Sequence, residues 1–480
     1  MRRMQVADAG LTTVTPVGAA SFLKGSSKAA AGRKRKGPNL KTLAACKRPV
    51  PTRATGGWAS LPTDIVGLIT RRLLAGDSDV VDYISFRTVC SGWRACTPTP
   101  RDPTLRDPRL RPRGWVALCG GDAVRPDDAG EIVFFHTRTA RRFRVLLPDL
   151  RWHRIVGFTD GLVILMDKRT TEIRVLHPFT RVVVDLPPLL PLYHEVVRQK
   201  SSLLDMNAAV CSSASSATSI AVVVWFPYTN VVLGADHPNS DWKVLHRGLY
   251  VWNTLPFQGR LYATTLSRSS RILQLYPPPG NEDFENPVVV GHVPYFADRV
   301  YCDFLLVESG GRMLLVIRHP APGTNALDWS RLVVFKLYEV DVNSHPCKLI
   351  PVNSLGDRSL FLSGDRCLSV SARDLHSLSS NSIYFSLPHD PIVVHSLGSG
   401  LSERLSESCQ IHDRKDRIRP SVRPFTVADH LITYCNPREW SKGLMFHEYQ
   451  YIPESFKELI ENIRAQNAQL KIRRVTLHSR

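Results

Sequence analysis

From residue 115 to about residue 435 the chain is a succession of short apolar runs, each broken by a turn. Residues 115–119 (Trp-Val-Ala-Leu-Cys) end at Gly120-Gly121, and the runs 131–135 and 143–147 follow. Residues 161–165, 172–176 and 181–186 read as a three-strand meander. The series goes on through 221–226, 248–252, 259–264 and 271–275. Residues 304–308 and 312–317 flank Ser309-Gly310-Gly311, the signature of a β-hairpin. Runs at 332–337, 359–362, 367–370, 382–385 and 391–395 complete it. Some 320 residues of strand meanders without a long helical pattern predict a closed all-β architecture. At roughly 40–50 residues per blade, that length accommodates a β-propeller of six to eight blades, with a sandwich as the alternative. The Ser- and Ala-rich residues 198–218 read as a long mobile loop inserted in the series.

Residues 58–98 follow a different period. Leu61-Pro62 opens a helix, with Pro at an early position where its missing N–H is harmless. Ile65, Leu68, Ile69 and Leu73 fall at helical spacing on one face, and Gly76 stops the helix. Asp77, Ser78 and Asp79 offer N-cap oxygens to a second helix with Val80, Tyr83 and Ile84 on its apolar face. Phe86, Val89, Cys90 and Trp93 repeat the pattern, which predicts a third. About forty residues bury too little surface to stand alone, and no metal-ligand spacing occurs here, so the segment packs on the rest of the chain or on a partner.

The order of these residues decides between the two. Leu61-Pro62-x-Asp64-Ile65, Asp79-Val80 and Arg87-x-Val89-Cys90-x-x-Trp93-Arg94 together resemble an F-box. Residues 173–184 (IRVLHPFTRVVV), 305–316 (LLVESGGRMLLV), 333–337 (VVFKL), 354–361 and 381–385 (NSIYF) resemble the plant F-box proteins that carry a KIB-type β-propeller. The three departures are Gly67 inside the first helix, at a cost of about 1 kcal/mol relative to Ala, the Ser- and Ala-rich insertion over 198–218, and His177 where the family pattern has Asn. The resemblance implies the substrate receptor of an SCF-type ubiquitin ligase. Leu61, Pro62, Ile65, Leu68, Ile69, Leu73, Val80, Ile84, Val89, Cys90 and Trp93 would then meet a Skp-type adaptor, and through it a cullin. The propeller would hold a target protein, with no bond chemistry and no cofactor of its own. Competing readings are a propeller scaffold that binds nuclear partners or nucleic acid through a basic tail, and, more remotely, a carbohydrate-active enzyme.

The expected organisation is multidomain: a disordered tail over 1–57, the helices over 58–97, a linker over 98–113, the propeller over 114–435 and an extension over 436–480. Net charge is +19, but residues 1–57 hold twelve Lys or Arg against the single acid Asp8, so the other 423 residues carry only +8. A nucleic-acid groove in the body is not demanded by that balance. Arg33, Lys34, Arg35 and Lys36 form a basic cluster that reads as a nuclear localisation signal, a solvated tail or part of a transit peptide. The linker, with Pro98, Pro100, Pro103, Pro108 and Pro112, reads as a stiff extended spacer. In the extension, Phe456, Leu459, Ile460 and Ile463 share one helical face expected to pack on the propeller.

Ten cysteines scattered without a CxxC pair favour reduced thiols, hence nucleus or cytoplasm, and no apolar run approaches the roughly 20 residues that span a bilayer. His389 and His395 lack a nearby third metal ligand, so no metal is expected. Leu397-Gly398-Ser399-Gly400 has Glu403 where a dinucleotide fingerprint needs its third glycine.

Overall fold

The computed structural model describes residues 57–75, 79–118, 130–147, 150, 152–189, 206–226, 230–237, 241–265, 271–278, 287–294, 302–320, 333–344, 347–387, 390–405, 409–412, 418–421 and 426–435. The chain divides into units 1–55 and 56–480, and every described residue falls in the second. The basic tail with its cluster at 33–36, Gly76 to Ser78, and the helix expected over 453–470 lie outside the described residues.

Three helices come first: α1 (Thr63–Leu73), α2 (Val80–Thr88) and α3 (Ser91–Ala95). The third is shorter than its pattern predicts. Phe86 belongs to α2, Val89 ends it, and Cys90 is extended at φ −155°. Cys90 is therefore not on a helix face. It caps α3, its Sγ accepting from Trp93 N at 3.4 Å. The Phe86 and Trp93 rings still meet across the break, stacked at 4.4 Å.

Six sheets then follow one another as blades of a β-propeller. Blade one holds β1 (Trp115–Leu118), β2 (Glu131–His136) and β3 (Arg142–Leu146). Blade two holds β4 (His153–Thr159), β5 (Leu162–Asp167), β6 (Glu172–Leu176) and β7 (Val183–Pro188). Blade three runs through β8 (Asn207–Ser212), β9 (Ile220–Trp225), β10 (Val231–Asp236) and β11 (Lys243–Arg247). Blade four has β12 (Val251–Phe257), β13 (Arg260–Thr265), β14 (Arg271–Tyr276) and β15 (Val288–His292). Blade five has β16 (Asp303–Ser309), β17 (Arg312–Pro320), β18 (Val333–Asp341) and β19 (Lys348–Val352). In all five the strands are antiparallel and lie in chain order.

Blade six departs from that order. Its strands β20 (Arg358–Leu362), β21 (Cys367–Ser371), β22 (Ser382–Leu387), β23 (Asp390–Ser396) and β24 (Ser402–Arg404) are arranged β21-β20-β22-β23-β24, with β20 parallel to β22. A two-stranded pair, β25 (Cys409–His412) and β26 (Ile418–Ser421), precedes the last described helix, α4 (Val427–Cys435).

Inner strands of neighbouring blades touch: β4 meets β8, β12 meets β16, and β16 meets β21. Side chains bond across these seams. Thr159 Oγ1 accepts from Val210 N at 3.0 Å, and Asn253 Oδ1 accepts from Leu306 N at 2.8 Å. Blade one has no such inner strand among the described residues. Instead α4 packs on β1 and on the first three strands of blade six. Ala428, Leu431, Ile432, Tyr434 and Cys435 join one core cluster with Trp115, Phe134, Phe158, Phe361 and Tyr384. Seven of the nine residues of α4 are buried. The polar ones among them are satisfied within the helix and its cap, where Asp429 Oδ2 accepts from Thr426 N and Oγ1 and Thr433 Oγ1 donates to Asp429 O. Here the helix closes the ring. The Arg366 guanidinium fixes it further, 5.0 Å from the Phe158 ring centroid and 4.8 Å from that of Tyr434.

Two expectations are corrected. Residues 207–212, inside the stretch read as a mobile loop, are β8, an inner strand whose Ala208, Ala209, Val210 and Cys211 are buried. The β4 backbone approaches this strand so closely that only glycine fits at 157, where a Cβ would lie 2.2 Å from Ala208 O. Likewise, 248–252 is not one strand: residues 248–250 join β11 to β12, and Val251 and Trp252 begin β12.

The proline-rich segment 98–113 is not a free spacer. Leu105 and Leu110 are buried, and Arg111 is buried with its Nη1 2.9 Å from Asp160 Oδ2 and its Nε donating to Leu105 O at 3.0 Å. His177 takes part through both ring nitrogens. Nε2 lies 2.9 Å from Leu110 O, and Nδ1 accepts from Phe179 N and Thr180 N at 3.3 and 3.2 Å. Asp160 and Gly161, at φ 51° and 77°, make the tight β4–β5 turn over which this segment lies.

Gly161 fits because a Cβ would fall 2.1 Å from Pro112 O. Gly161→Ala is expected to destabilise the protein by about 2–3 kcal/mol, from left-handed strain and the clash together, measured by urea unfolding.

Burial holds the His177 imidazole below its ordinary value of 6.5. The unfolded chain then binds the proton first, so stability falls as pH drops below about 6.5 towards the native value. His177→Gln is expected to flatten that part of the pH profile, read from unfolding midpoints at pH 5 to 8.

Candidate docking surface on the helical segment

Asp79 fixes the helices to the ring. Its Oδ1 accepts from Val81 N at 2.9 Å, which caps α2, and from Trp115 Nε1 at 2.8 Å at the start of β1. Its Oδ2 accepts from Arg141, and Arg141 Nη1 also donates to Asp82 Oδ1 at 2.6 Å. Trp115 is in turn surrounded by His136, Phe143 and Phe179, with ring centroids 4.9–5.2 Å away. At the other end of α2, the Tyr83 hydroxyl donates to Pro98 O and Arg87 donates to the Thr97 and Pro98 carbonyls. Arg106 Nη1 donates to Ser219 O of the β8–β9 turn at 3.3 Å. These ties run from the helical segment and linker to blades one, two and three.

The eleven residues expected to form a docking face do not stay together. Val80 and Trp93 are buried within the chain and leave that face. Ile84 and Cys90 are half-buried, and Val89 is exposed at the α2–α3 break. Around α1 the pattern holds. Val66 and Thr70 turn inward, whereas Ile65 is 38% and Leu68 53% exposed. Leu61, Ile69 and Leu73 are half-buried beside them, and Pro62 is exposed. Trp58, in the short turn before α1, is 75% exposed. Trp58 was legible in the sequence only as the start of the segment. Its exposure depends on the turn 58–60, which no periodicity marks.

Chemistry is sparse by comparison. His395, weighed as a metal ligand, has its Nδ1 2.9 Å from Ser402 Oγ within blade six, and His389 lies outside the described residues. Among the described residues no three His, Cys, Asp or Glu side chains converge on a point. Cys211 and Cys435 are buried, and burial pushes both thiols far above their ordinary value.

Replacing Asp79 removes the cap and leaves the Trp115 indole and Arg141 without their acceptor. Asp79→Ala is expected to cost roughly 2–4 kcal/mol in urea unfolding, with Arg141 half open to water and so less penalised. Asp79→Asn should recover part of the loss, because its carbonyl can still cap α2.

The chain is similar to three Arabidopsis thaliana proteins. F-box protein At2g26160 is 22% identical over 68% of this chain and 95% of its own length. F-box protein At4g35733 is 22% identical over 73% of this chain and 94% of its own length. Putative F-box protein At1g65770 is 22% identical over 68% of this chain and 88% of its own length. The family model of the KIB1-4 β-propeller matches residues 134–413, from β2 to the last pair of strands. The chain therefore belongs to the KIB1-4 β-propeller family.

Proposed function

We propose that this protein is the substrate-recognition subunit of an SCF-type ubiquitin ligase, with residues 58–97 as its F-box and the propeller as its target-binding domain. The observation that carries the reading is the open apolar strip of α1. Ile65 and Leu68 face outward while Val66 and Thr70 already hold the helix to its own chain. A soluble surface gains nothing from leaving two large aliphatic side chains of one helix uncovered. Covering each fully is worth about 1.5–3 kcal/mol before the costs of association. The three matched relatives are named as F-box proteins, which fits a Skp-type adaptor as the covering molecule.

In this role the chain performs no bond chemistry. It raises the effective concentration of a target lysine near the ligase's catalytic module. The basic cluster at Arg33, Lys34, Arg35 and Lys36 would supply nuclear entry.

Ile65→Asp and Leu68→Asp are expected to abolish capture of the chain by a purified Skp-type adaptor in a pull-down. Both side chains are exposed, so thermal unfolding should move little. Val66→Asp should instead unfold the segment. Undiminished capture by the Ile65 and Leu68 variants would overturn the proposal.

A further inference from the structure

Pro follows a Ser or Thr at three places in this chain: Thr15-Pro16, Thr97-Pro98 and Thr99-Pro100. Thr15 lies outside the described residues. The other two stand side by side where the helical segment meets the linker, and their surroundings are opposite.

Thr97 is 7% exposed. Its Oγ1 donates to Trp93 O at 2.7 Å and accepts from Arg87 Nη1 at 2.7 Å, so the hydroxyl is used inside the chain. Thr99 is exposed. Its Oγ1 accepts from Arg101 N at 3.2 Å, and the hydroxyl proton has no acceptor among the described residues. Residues 97–101 make no main-chain to main-chain hydrogen bond among the described residues, so this stretch opens locally without breaking a helix or a sheet. Pro100 holds Thr99 extended. An exposed hydroxyl on an extended stretch is the form in which a protein kinase takes its acceptor.

Three arginines gather around it. Arg87, near the end of α2, turns its Nη1 to the Thr97 and Pro98 carbonyls, the second of them one residue before Thr99. Its Nε and Nη2 have no acceptor among the described residues. Arg94 Nε donates to Arg87 O at 3.4 Å, and Arg101 follows Pro100. Arg111 and Arg141 reach carboxylates, whereas these three enter no ion pair among the described residues. The carboxylate next in sequence is engaged elsewhere. Asp102 Oδ1 accepts from Thr104 N and Oγ1 at 2.9 and 2.7 Å, and its Oδ2 from Asp107 N at 3.0 Å.

We propose that Thr99 is the phosphorylation site of a protein kinase that takes proline directly after its acceptor, and that Arg87 holds the phosphate. Thr99 Oγ1 forms a bond to the γ-phosphorus of ATP, the bond from that phosphorus to ADP breaks, and the hydroxyl proton passes to the kinase's base. The product adds about two negative charges and three acceptor oxygens. They arise one residue from the Pro98 carbonyl that Arg87 already touches, and the open edge of its guanidinium suits two phosphate oxygens at once. The modification fastens the linker to α2 at the end of the helix opposite Asp79.

The test incubates the folded full chain with ATP and an activated mitogen-activated protein kinase and locates the phosphoryl group by tandem mass spectrometry. Thr99 should be labelled and Thr97 should not, although proline follows both. Thr99→Ala should leave residues 97–101 unlabelled. Phosphorus-31 NMR of the product then reads the contact. The second ionisation of a free phosphothreonine lies at about pH 6. In the folded chain it should fall about half a pH unit below that of the phosphorylated peptide 95–103. Arg87→Gln should abolish that difference, and Arg87→Lys should keep most of it. The proposal is overturned by labelling of neither threonine or of Thr97 as readily as Thr99. It is equally overturned by a phosphate that titrates as in the free peptide, or alike in the wild-type and Arg87→Gln chains.

Discussion

One buried carboxylate holds the two halves of this protein in register. Asp79 starts α2, and the same two oxygens satisfy the Trp115 indole and the Arg141 guanidinium. A carboxylate taken out of water is costly unless donors surround it, and here donors arrive from three separate stretches of chain. The arrangement is available only when α2, β1 and the β2–β3 turn are all in place. Orientation of the helices against blade one is therefore a property of the fold and not of a hinge.

The same economy of parts closes the ring. A propeller must join its last blade to its first, and here α4 does so where blade one lacks an inner strand among the described residues. Seven of the nine residues of α4 are buried, and its apolar side chains share a core with blades six, one and two. Arg366 can stack on Phe158 and Tyr434 together only once those blades are adjacent. Closure thus depends on residues more than 300 positions apart in sequence, Trp115 and Tyr434 among them, sharing one core.

Much of the ring was legible because its strands obey local rules. The hairpin β16–β17 follows from two apolar runs around Gly310-Gly311, both at positive φ. Six blades fall within the range that length alone allows. What escaped the reading escaped for physical reasons. β8 reads Asn-Ala-Ala-Val-Cys-Ser, in which Val210 alone is a strong strand former, and alanine and asparagine carry little strand signal. α4 was hidden in an apolar run whose helical and strand periods are hard to separate at nine residues. The third helix was read too long because Phe86 and Trp93 do stack, although the chain turns at Cys90 between them. On the docking surface, the α1 strip was visible as periodicity. The burial of Val80 and Trp93 could not be, because it depends on neighbours distant in sequence.

Proline density reads 98–113 as a stiff spacer, whereas the structure shows a segment seated on the ring by its other residues. Five prolines restrict a chain, but a restricted chain still swings about its ends. Leu105, Leu110 and Arg111 remove that freedom by seating the segment on blade two, with Asp160 and His177 as its partners. Effective concentration depends on how narrowly the separation of two sites is distributed, not on its mean alone. A receptor that must set a target beside a distant catalytic module gains most when that separation is set by packed side chains. The open strip of α1 is set against blade two in this way, through Arg111 on Asp160 and Leu110 on His177.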